Sequence, residues 1–164
     1  MRKKLFQSAA IMAALLFCHT ALAMEMPPMG AEEKAAAAAD YQKSVELAPE
    51  DAYACNDVAW FLATCPDAAA RDPARAVELA EKATQGAPKQ AYIWNTLGVA
   101  RYRSGNFPGA TEALERSIQL ASGGNACDWY FLAMARWQLG EKDQARKWYD
   151  KAVEWMNKNE LDDE

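Results

Sequence analysis

Apolar residues recur every three to four positions along most of the chain beyond residue 30, which is the spacing of one face of an α-helix. Prolines, glycines and short polar stretches divide this pattern into seven segments. We therefore predict helices over residues 31–48, 52–64, 73–85, 90–104, 107–121, 126–139 and 141–157. No segment alternates apolar and polar residues as a strand would, so the predicted fold class is all-α.

Several helix ends are marked by residues with a definite physical role. Asp72 precedes Pro73, the order expected for an N-cap followed by proline at the first helical position. Asn106 is placed to cap the following helix. Gly105 is placed to end the helix before it, because glycine readily adopts the positive φ of such a turn. These signals predict helices arranged in pairs.

Two stretches carry the same residue types at the same offsets. Each begins with Trp, followed by Leu after three residues, Gly after eleven and Ala after sixteen. The first has Trp94, Leu97, Gly105 and Ala110, and the second has Trp129, Leu132, Gly140 and Ala145. The two tryptophans lie 35 residues apart, and this pattern resembles the tetratricopeptide repeat (TPR), whose period is about 34 residues.

The resemblance extends over residues 32–157. It implies a helical-hairpin solenoid of about seven helices, in which small residues such as Gly98 allow paired helices to approach closely. A half repeat over 32–49 would precede repeats over 52–88, 91–122 and 126–157, and the first of these holds about five extra residues within 65–73. Phrases such as WFLATCPDAAARDPARAVELAEKA and YIWNTLGVARYRSG resemble bacterial TPR arrays often appended to kinases or β-propellers. Because the chain shows no Gly-rich loop or HRD motif, only the binding-module part of that resemblance applies.

The first 23 residues have the pattern of a cleaved secretory signal. Arg2, Lys3 and Lys4 precede a short apolar run, which ends in the small-x-small sequence of residues 21–23. We expect a flexible leader over 24–31, an acidic tail over 158–164, and a periplasmic or secreted location. The alternative is an uncleaved signal that anchors the protein in the membrane.

The charge balance disfavours two classes of partner. The chain has 18 Lys and Arg against 23 Asp and Glu, and without residues 1–23 the balance becomes 15 against 23, a net charge of −8. Such an acidic surface repels nucleic acids and anionic membranes. We therefore expect a protein or peptide partner, with no insertion into a membrane after signal cleavage.

The residue inventory gives no support for catalysis or for a cofactor. The single histidine, His19, lies in the predicted signal, so the remaining chain lacks Ser-His and Cys-His nucleophiles. No CxxC motif or metal-ligand spacing is present, and we expect no metal site. Of the three remaining cysteines, Cys55 is predicted to be buried and inert, whereas Cys65 is predicted to be exposed at a helix end. On one helix these two residues would lie roughly 15 Å apart, too far for a disulfide.

A solenoid of this type curves so that the first helix of each repeat lines the concave face. The residues predicted to form a partner-binding groove on that face are Tyr53, Asn56, Trp60, Tyr92, Asn95, Tyr102, Arg103, Tyr130, Met134 and Trp137. Aromatic side chains would supply contact area, and amides would bind a peptide backbone. The alternative is that several of these aromatic residues pack on neighbouring helices.

Arginines occupy a position where the repeat usually carries an aromatic residue. Arg101 and Arg136 stand there, each followed by an aromatic residue. With Arg103 they are predicted to cluster near one end of the first helices, which would suit a partly apolar partner segment with an acidic residue or terminus. A known TPR clamp for terminal carboxylates is matched only in part, so that ligand is not expected.

The predicted function is an exported module that binds a peptide or helix of a partner protein in its concave groove and performs no catalysis. The alternative is a structural or assembly subunit of a cell-envelope complex that acts by self-association.

Overall fold

The computed structural model describes residues 31–160. The predicted signal segment, the leader up to residue 30 and the end of the acidic tail lie outside the described residues. Backbone contacts divide the chain into a compact unit over 35–164 and a second unit over 1–34, to which only the start of the first described helix belongs.

Seven α-helices make up the described part of the chain, and no strand occurs between residues 31 and 160. The helices are α1 (Ala31–Leu47), α2 (Ala52–Thr64), α3 (Pro73–Gly86), α4 (Ala91–Arg103), α5 (Phe107–Leu120), α6 (Ala126–Gln138) and α7 (Lys142–Glu160), with a short 3-10 helix at Ala68–Ala70. The all-α prediction is confirmed. None of these helices is long and apolar enough to cross a membrane.

The helices form three hairpins that stack in chain order. Within the hairpins α2 packs on α3, α4 on α5 and α6 on α7, and α3 and α5 also pack on the next hairpin. The first helices α2, α4 and α6 additionally contact one another across the hairpins, so they form a continuous inner layer. Helix α1 joins the N-terminal end of this stack, where Tyr41 and Phe61 have ring centroids 5.0 Å apart. The predicted helical-hairpin solenoid is confirmed.

The predicted helix-end residues take the expected roles. Asp72 Oδ1 accepts from the backbone N–H of Arg75 at 3.0 Å, and Asn106 Oδ1 accepts from that of Gly109 at 3.0 Å. Gly105 has a φ of +83°, which is the left-handed conformation that ends α4. The enlarged loop of the first repeat contains the 3-10 helix Ala68–Ala70, and Asp72 N donates back to Leu62 O at 3.1 Å, which closes this loop.

One side-chain bond recurs in all three hairpins and fixes the start of each first helix. Trp94 Nε1 donates to the carbonyl oxygen of Pro88 at 2.8 Å, and Trp129 Nε1 donates to that of Gly123 at 2.9 Å. The Cys55 thiol, at the same repeat position, lies 3.5 Å from the carbonyl oxygen of Pro49. Each bond spans six residues. Trp129 is buried, whereas Trp94 is half-buried with its ring against the core.

The three described cysteines are free, and one of them lies in an unexpected environment. Cys55, Cys65 and Cys127 form no disulfide within the described residues. Cys55 is buried as predicted, and this burial raises the pKa of its thiol, which disfavours the reactive thiolate. The prediction that Cys65 is exposed is wrong, since only 5% of it is accessible. The enlarged loop returns to the end of α2 and encloses this residue.

The two helices of the second hairpin approach each other closely at Gly98. A Cβ atom added there would lie 2.5 Å from Leu114 Cγ and 3.3 Å from the Leu114 backbone nitrogen. Ala59 and Ala133 stand at the same position in the other hairpins and are also buried. A small residue at this position therefore sets the distance between paired helices.

We predict that Gly98→Ala lowers the free energy of unfolding by about 1–3 kcal/mol, because a methyl group would overpack against Leu114. Urea unfolding followed by circular dichroism measures the loss. Gln144→Leu, on the exposed side of α7, is the control and should change stability by less than about 0.5 kcal/mol. Combining Gly98→Ala with Leu114→Ala should cost less than the sum of the single changes, since truncation removes the clash. Additive losses would contradict this packing.

Candidate partner-binding face

All ten predicted groove residues lie on the inner layer formed by α2, α4 and α6. Their exposure nevertheless differs widely. Tyr53 and Tyr92 are 52% and 49% exposed, and they occupy the same position in the first and second hairpins. Trp60, Tyr102, Arg103 and Trp137 are half-buried, while Asn56, Asn95, Tyr130 and Met134 are buried. The most exposed of the predicted groove residues therefore lie at the start of α2 and α4.

Tyr53 and Tyr92 occupy the same position on α2 and α4, and each presents a half-exposed aromatic residue on the surface of this layer. Burial is the main cause that raises the pKa of the Tyr92 hydroxyl, and the electrostatic influence of Tyr53 and Asp57 adds to it.

Next to this surface is an open cleft of about 580 Å³ between α1 and α2. It is lined by Asp40, Tyr41, Ser44, Asp51, Tyr53, Ala54 and Asp57. Asp51 also caps α2, since its Oδ1 accepts from Tyr53 N at 2.8 Å and from Ala54 N at 3.1 Å. Sequence reasoning missed the three aspartates of this cleft. Asp57 directly follows a predicted groove residue, but Asp40 reaches the site only through the packing of α1.

The two asparagines predicted to bind a peptide backbone have different surroundings. Asn95 Nδ2 donates to the buried Asp128 Oδ1 at 2.7 Å, and the Cys127 thiol lies 3.9 Å from Asn95 Oδ1. Asn95 thus links α4 to α6. Asn56 Nδ2 instead donates to the exposed Asp57 at 3.2 Å, and its buried Oδ1 has no hydrogen-bond partner.

In the middle of the face, aromatic residues fill the space between two hairpins. The Tyr102 ring lies 5.6 Å from the Phe107 ring and 5.6 Å from the Phe131 ring, centroid to centroid. The Arg103 guanidinium lies 5.9 Å from the centroid of Phe131. These contacts agree with the alternative that some predicted groove residues pack on neighbouring helices.

At the end of the stack, the predicted residues of α6 turn towards α7. The Tyr130 hydroxyl donates to Met156 Sδ at 3.0 Å, and its ring contacts that of Tyr149 with 5.9 Å between centroids. Trp137 lies beneath Lys142, whose Nζ is 5.5 Å from the ring centroid. Tyr130 therefore contributes to the packing of its own hairpin.

The predicted cluster of arginines for an acidic partner needs correction, because two of the three are already paired. Arg101 forms an ion pair with Glu81 of the preceding hairpin at 3.0 Å. Arg136 forms the corresponding pair with Glu115, and a second one with Glu141. At the position where the repeat usually carries an aromatic residue, each of these arginines instead forms an ion pair between two hairpins. The charges of Arg101 and Arg136 are neutralised by these ion pairs, so these two arginines give no reason to expect an acidic partner.

A metal site would require a group of metal-ligating side chains. Between residues 31 and 160 there is no group of His, Cys, Asp and Glu side chains that could hold a metal ion. The arrangement offers exposed aromatic rings, carboxylates and one amide oxygen, which suit the binding of another molecule by contact.

Comparison with known proteins gives both sequence and structural matches. Two tetratricopeptide repeat models match the sequence, over residues 67–125 and 129–159. No curated protein matches the chain.

Several solved structures are similar to this one. A crystal structure of MamA is 22% identical and covers 75% of this chain and 68% of its own, with a TM-score of 0.61. MamA from Desulfovibrio magneticus RS-1, from residue 41 to the end, is 16% identical, with coverages of 77% and 68% and a TM-score of 0.64. The Sgt2 TPR domain from Aspergillus fumigatus is 23% identical, covers 82% of both chains and has a TM-score of 0.58. At these identities the likeness shows a shared fold.

We predict that the two asparagines differ in their effect on stability. Asn95→Ala should lower the free energy of unfolding by about 1–3 kcal/mol, because the buried Asp128 would lose a donor. Asn56→Ala should cost less than about 0.5 kcal/mol, since it removes an oxygen with no donor and leaves an exposed carboxylate that water can solvate. Urea denaturation of both variants measures the difference, and equal losses would contradict the assigned roles.

Proposed function

Because the chain belongs to the tetratricopeptide repeat family, we propose that it holds a segment of a partner protein on the inner layer of α2, α4 and α6. Proteins of this family are interaction scaffolds, and this chain is accordingly a protein–protein interaction module. The proposal adds the surface and the mode of binding: an extended peptide or a helix lies along the first helices.

The observation that carries the proposal is the pair of exposed tyrosines on this layer. About half of the surface of Tyr53 and of Tyr92 is accessible, although large aromatic side chains contribute most to stability when buried. Trp60 lies about two helical turns beyond Tyr53 on α2 and is half-buried. Tyrosine and tryptophan are the residues that most often dominate binding energy at interfaces. An aromatic surface at the open end of an inner layer therefore suits a partner segment.

We further propose that the protein is exported. The support is the basic start, the short apolar run and the small-x-small sequence of residues 21–23. The function would then be exercised in the periplasm or outside the cell, and the leader would begin at Met24.

A second candidate is assembly through self-association, and one observation favours it. Helix α7 ends the stack, and Trp155 on this helix is 44% exposed. Each earlier second helix is covered by the following hairpin, so another copy could cover α7. Size-exclusion chromatography with light scattering tests this candidate, and a monomer at micromolar concentration would count against it.

We predict that Tyr53→Ala and Trp60→Ala each weaken capture of the partner from an envelope extract by about 10-fold to 30-fold, because each removes an aromatic anchor worth roughly 2 kcal/mol. Quantitative pull-down with mass spectrometry measures the change. Trp155→Ala, an aromatic truncation at the other end of the stack, is the matched control and should leave capture unchanged. Undiminished capture by folded Tyr53 and Trp60 variants would exclude the inner layer as the binding surface.

We predict that the exported protein has a mature mass that starts at Met24, because signal peptidase cleaves after small residues such as Ala23. Intact mass spectrometry of the protein from a cell envelope or culture medium measures this. A full-length species that requires detergent for extraction would show the uncleaved anchor instead.

A further inference from the structure

We propose that the outer face of α7 receives a helix of a partner protein, and that an arginine in the last turn of this helix pairs with Asp150. The outer face is the row formed by Arg146, Tyr149, Asp150 and Val153, whose spacing places them on one side of α7. Helix α7 is a second helix and lies outside the inner layer, so the inference goes beyond the proposed function.

The two junctions between the three hairpins are closed by the same ion pair. Glu81 of α3 pairs with Arg101 of α4 at 3.0 Å, and Glu115 of α5 pairs with Arg136 of α6. The side chains of the two arginines are only 21% and 20% exposed. Both pairs are therefore partly shielded from the solvent that weakens ion pairs on an open surface.

Asp150 stands at the acidic position of this pair on the last described helix. It follows Trp129 by 21 residues, just as Glu115 follows Trp94 by 21 residues. Between residues 31 and 160, no hairpin follows α7 and no ion pair engages Asp150. Helix α7 thus carries the acid of a junction without its cation.

The acid and the arginine are absent together at the start of the stack. The positions that correspond to Glu81 and Arg101 are occupied by Gln42 in α1 and by Leu62 in α2. An acid at this position is therefore not required in every second helix, and it occurs in both junctions whose next helix supplies an arginine. Asp150 accordingly indicates an arginine on the helix that covers α7.

The outer face of α7 is more exposed than the same row on the earlier second helices. The following hairpin covers those rows, which contain no exposed residue and consist of Val77, Ala80, Glu81 and Thr84 in α3 and of Thr111, Leu114, Glu115 and Ile118 in α5. In α7, Arg146 and Asp150 are exposed, while Tyr149 and Val153 are half-buried. A helix seated on this row would cover the two half-buried side chains and shield the ion pair of Asp150.

The direction of the incoming helix accounts for Arg146, which has the same sign of charge as the proposed ligand. Arg101 and Arg136 lie in the last turns of α4 and α6, and a short connection makes each of these helices antiparallel to the second helix before it. A helix seated in the same way would end beside Arg146, one turn before Asp150. The last carbonyl groups of a helix have no intrahelical partners and interact favourably with a cation.

A second copy of this chain does not offer such an arginine. Within the described residues, arginine occurs in the last turn of α4 and of α6 only. Arg101 and Arg136 form the ion pairs of the junctions, and Arg103 lies against the ring of Phe131. The occupant that fits the outer face is therefore a helix of a different protein.

A peptide with the sequence of residues 90–105, which contains α4 and Arg101, tests the inference with the purified full chain. The peptide carries fluorescein at its N-terminus, and a comparison peptide has Gln at the position of Arg101. Because an isolated helix of this length is only marginally stable in water, we expect fluorescence anisotropy to give a dissociation constant of about 100 μM. The glutamine peptide should bind about fivefold more weakly, since it cannot form the ion pair.

Variants of the full chain locate the binding. Asp150→Asn should weaken the arginine peptide about fivefold and leave the glutamine peptide unchanged, because the two changes remove the same ion pair. A peptide with Glu at the position of Arg101 should bind Asp150→Arg better than it binds Glu112→Arg. The matched control is Glu112→Gln, which removes one charge from an exposed position on α5 and should change affinity less than about twofold. Circular-dichroism melting verifies that each variant is folded.

Three results would overturn the inference. They are the absence of binding at about 1 mM peptide, equal affinities of the arginine and glutamine peptides, and equal losses in Asp150→Asn and Glu112→Gln. A dimer that light scattering detects and that Asp150→Asn dissociates would make a second copy the occupant and would also contradict it. The proposed function does not depend on these results, since Tyr53→Ala and Trp60→Ala test the inner layer.

Discussion

The solenoid depends on the close approach of two helices at a residue with almost no side chain. In the second hairpin this residue is Gly98, against which Leu114 packs so tightly that a methyl group has no space. Ala59 and Ala133 take the same position in the other hairpins. Once the paired helices lie at this distance, the first helices come into contact across hairpins, and an inner layer results. The layer on which the proposed binding face lies is therefore a consequence of hairpin packing.

Much of this architecture could be predicted from the sequence because it follows from local rules. Helix ends were marked by Asp72, Asn106 and Gly105, whose capping and turn roles depend on residues a few positions away. The period of 35 residues between Trp94 and Trp129 reflects a repeated bond to a carbonyl six residues earlier. Such signals lie within one hairpin, where residues that are close in the sequence are also close in space.

The candidate site was harder to predict because its residues lie at the boundary between hairpins. Register placed Tyr53 and Tyr130 on the same edge of their helices, yet Tyr53 is exposed and Tyr130 bonds to Met156. The outcome depends on whether the partner helix offers a group to pack against. Likewise, Arg136 finds Glu115 across the hairpin boundary, so a charge that appeared available from the sequence is neutralised. Periodicity predicts on which side of a helix a residue lies. Whether a neighbouring helix covers that side depends on the tertiary structure.

The two ends of the inner layer thus differ in how completely their polar groups are satisfied. Between α4 and α6 the amide of Asn95 is bonded on both sides, which favours a rigid junction between these hairpins. At α2 the equivalent Asn56 keeps a buried oxygen without a donor, and three carboxylates lie nearby without an ion pair in the described residues. A buried acceptor without a partner lowers stability, and local departures from good packing are expected where function requires them. The incomplete bonding of Asn56 therefore lies on the same helix as the exposed Tyr53, so the start of the stack is the less completely satisfied end of the inner layer.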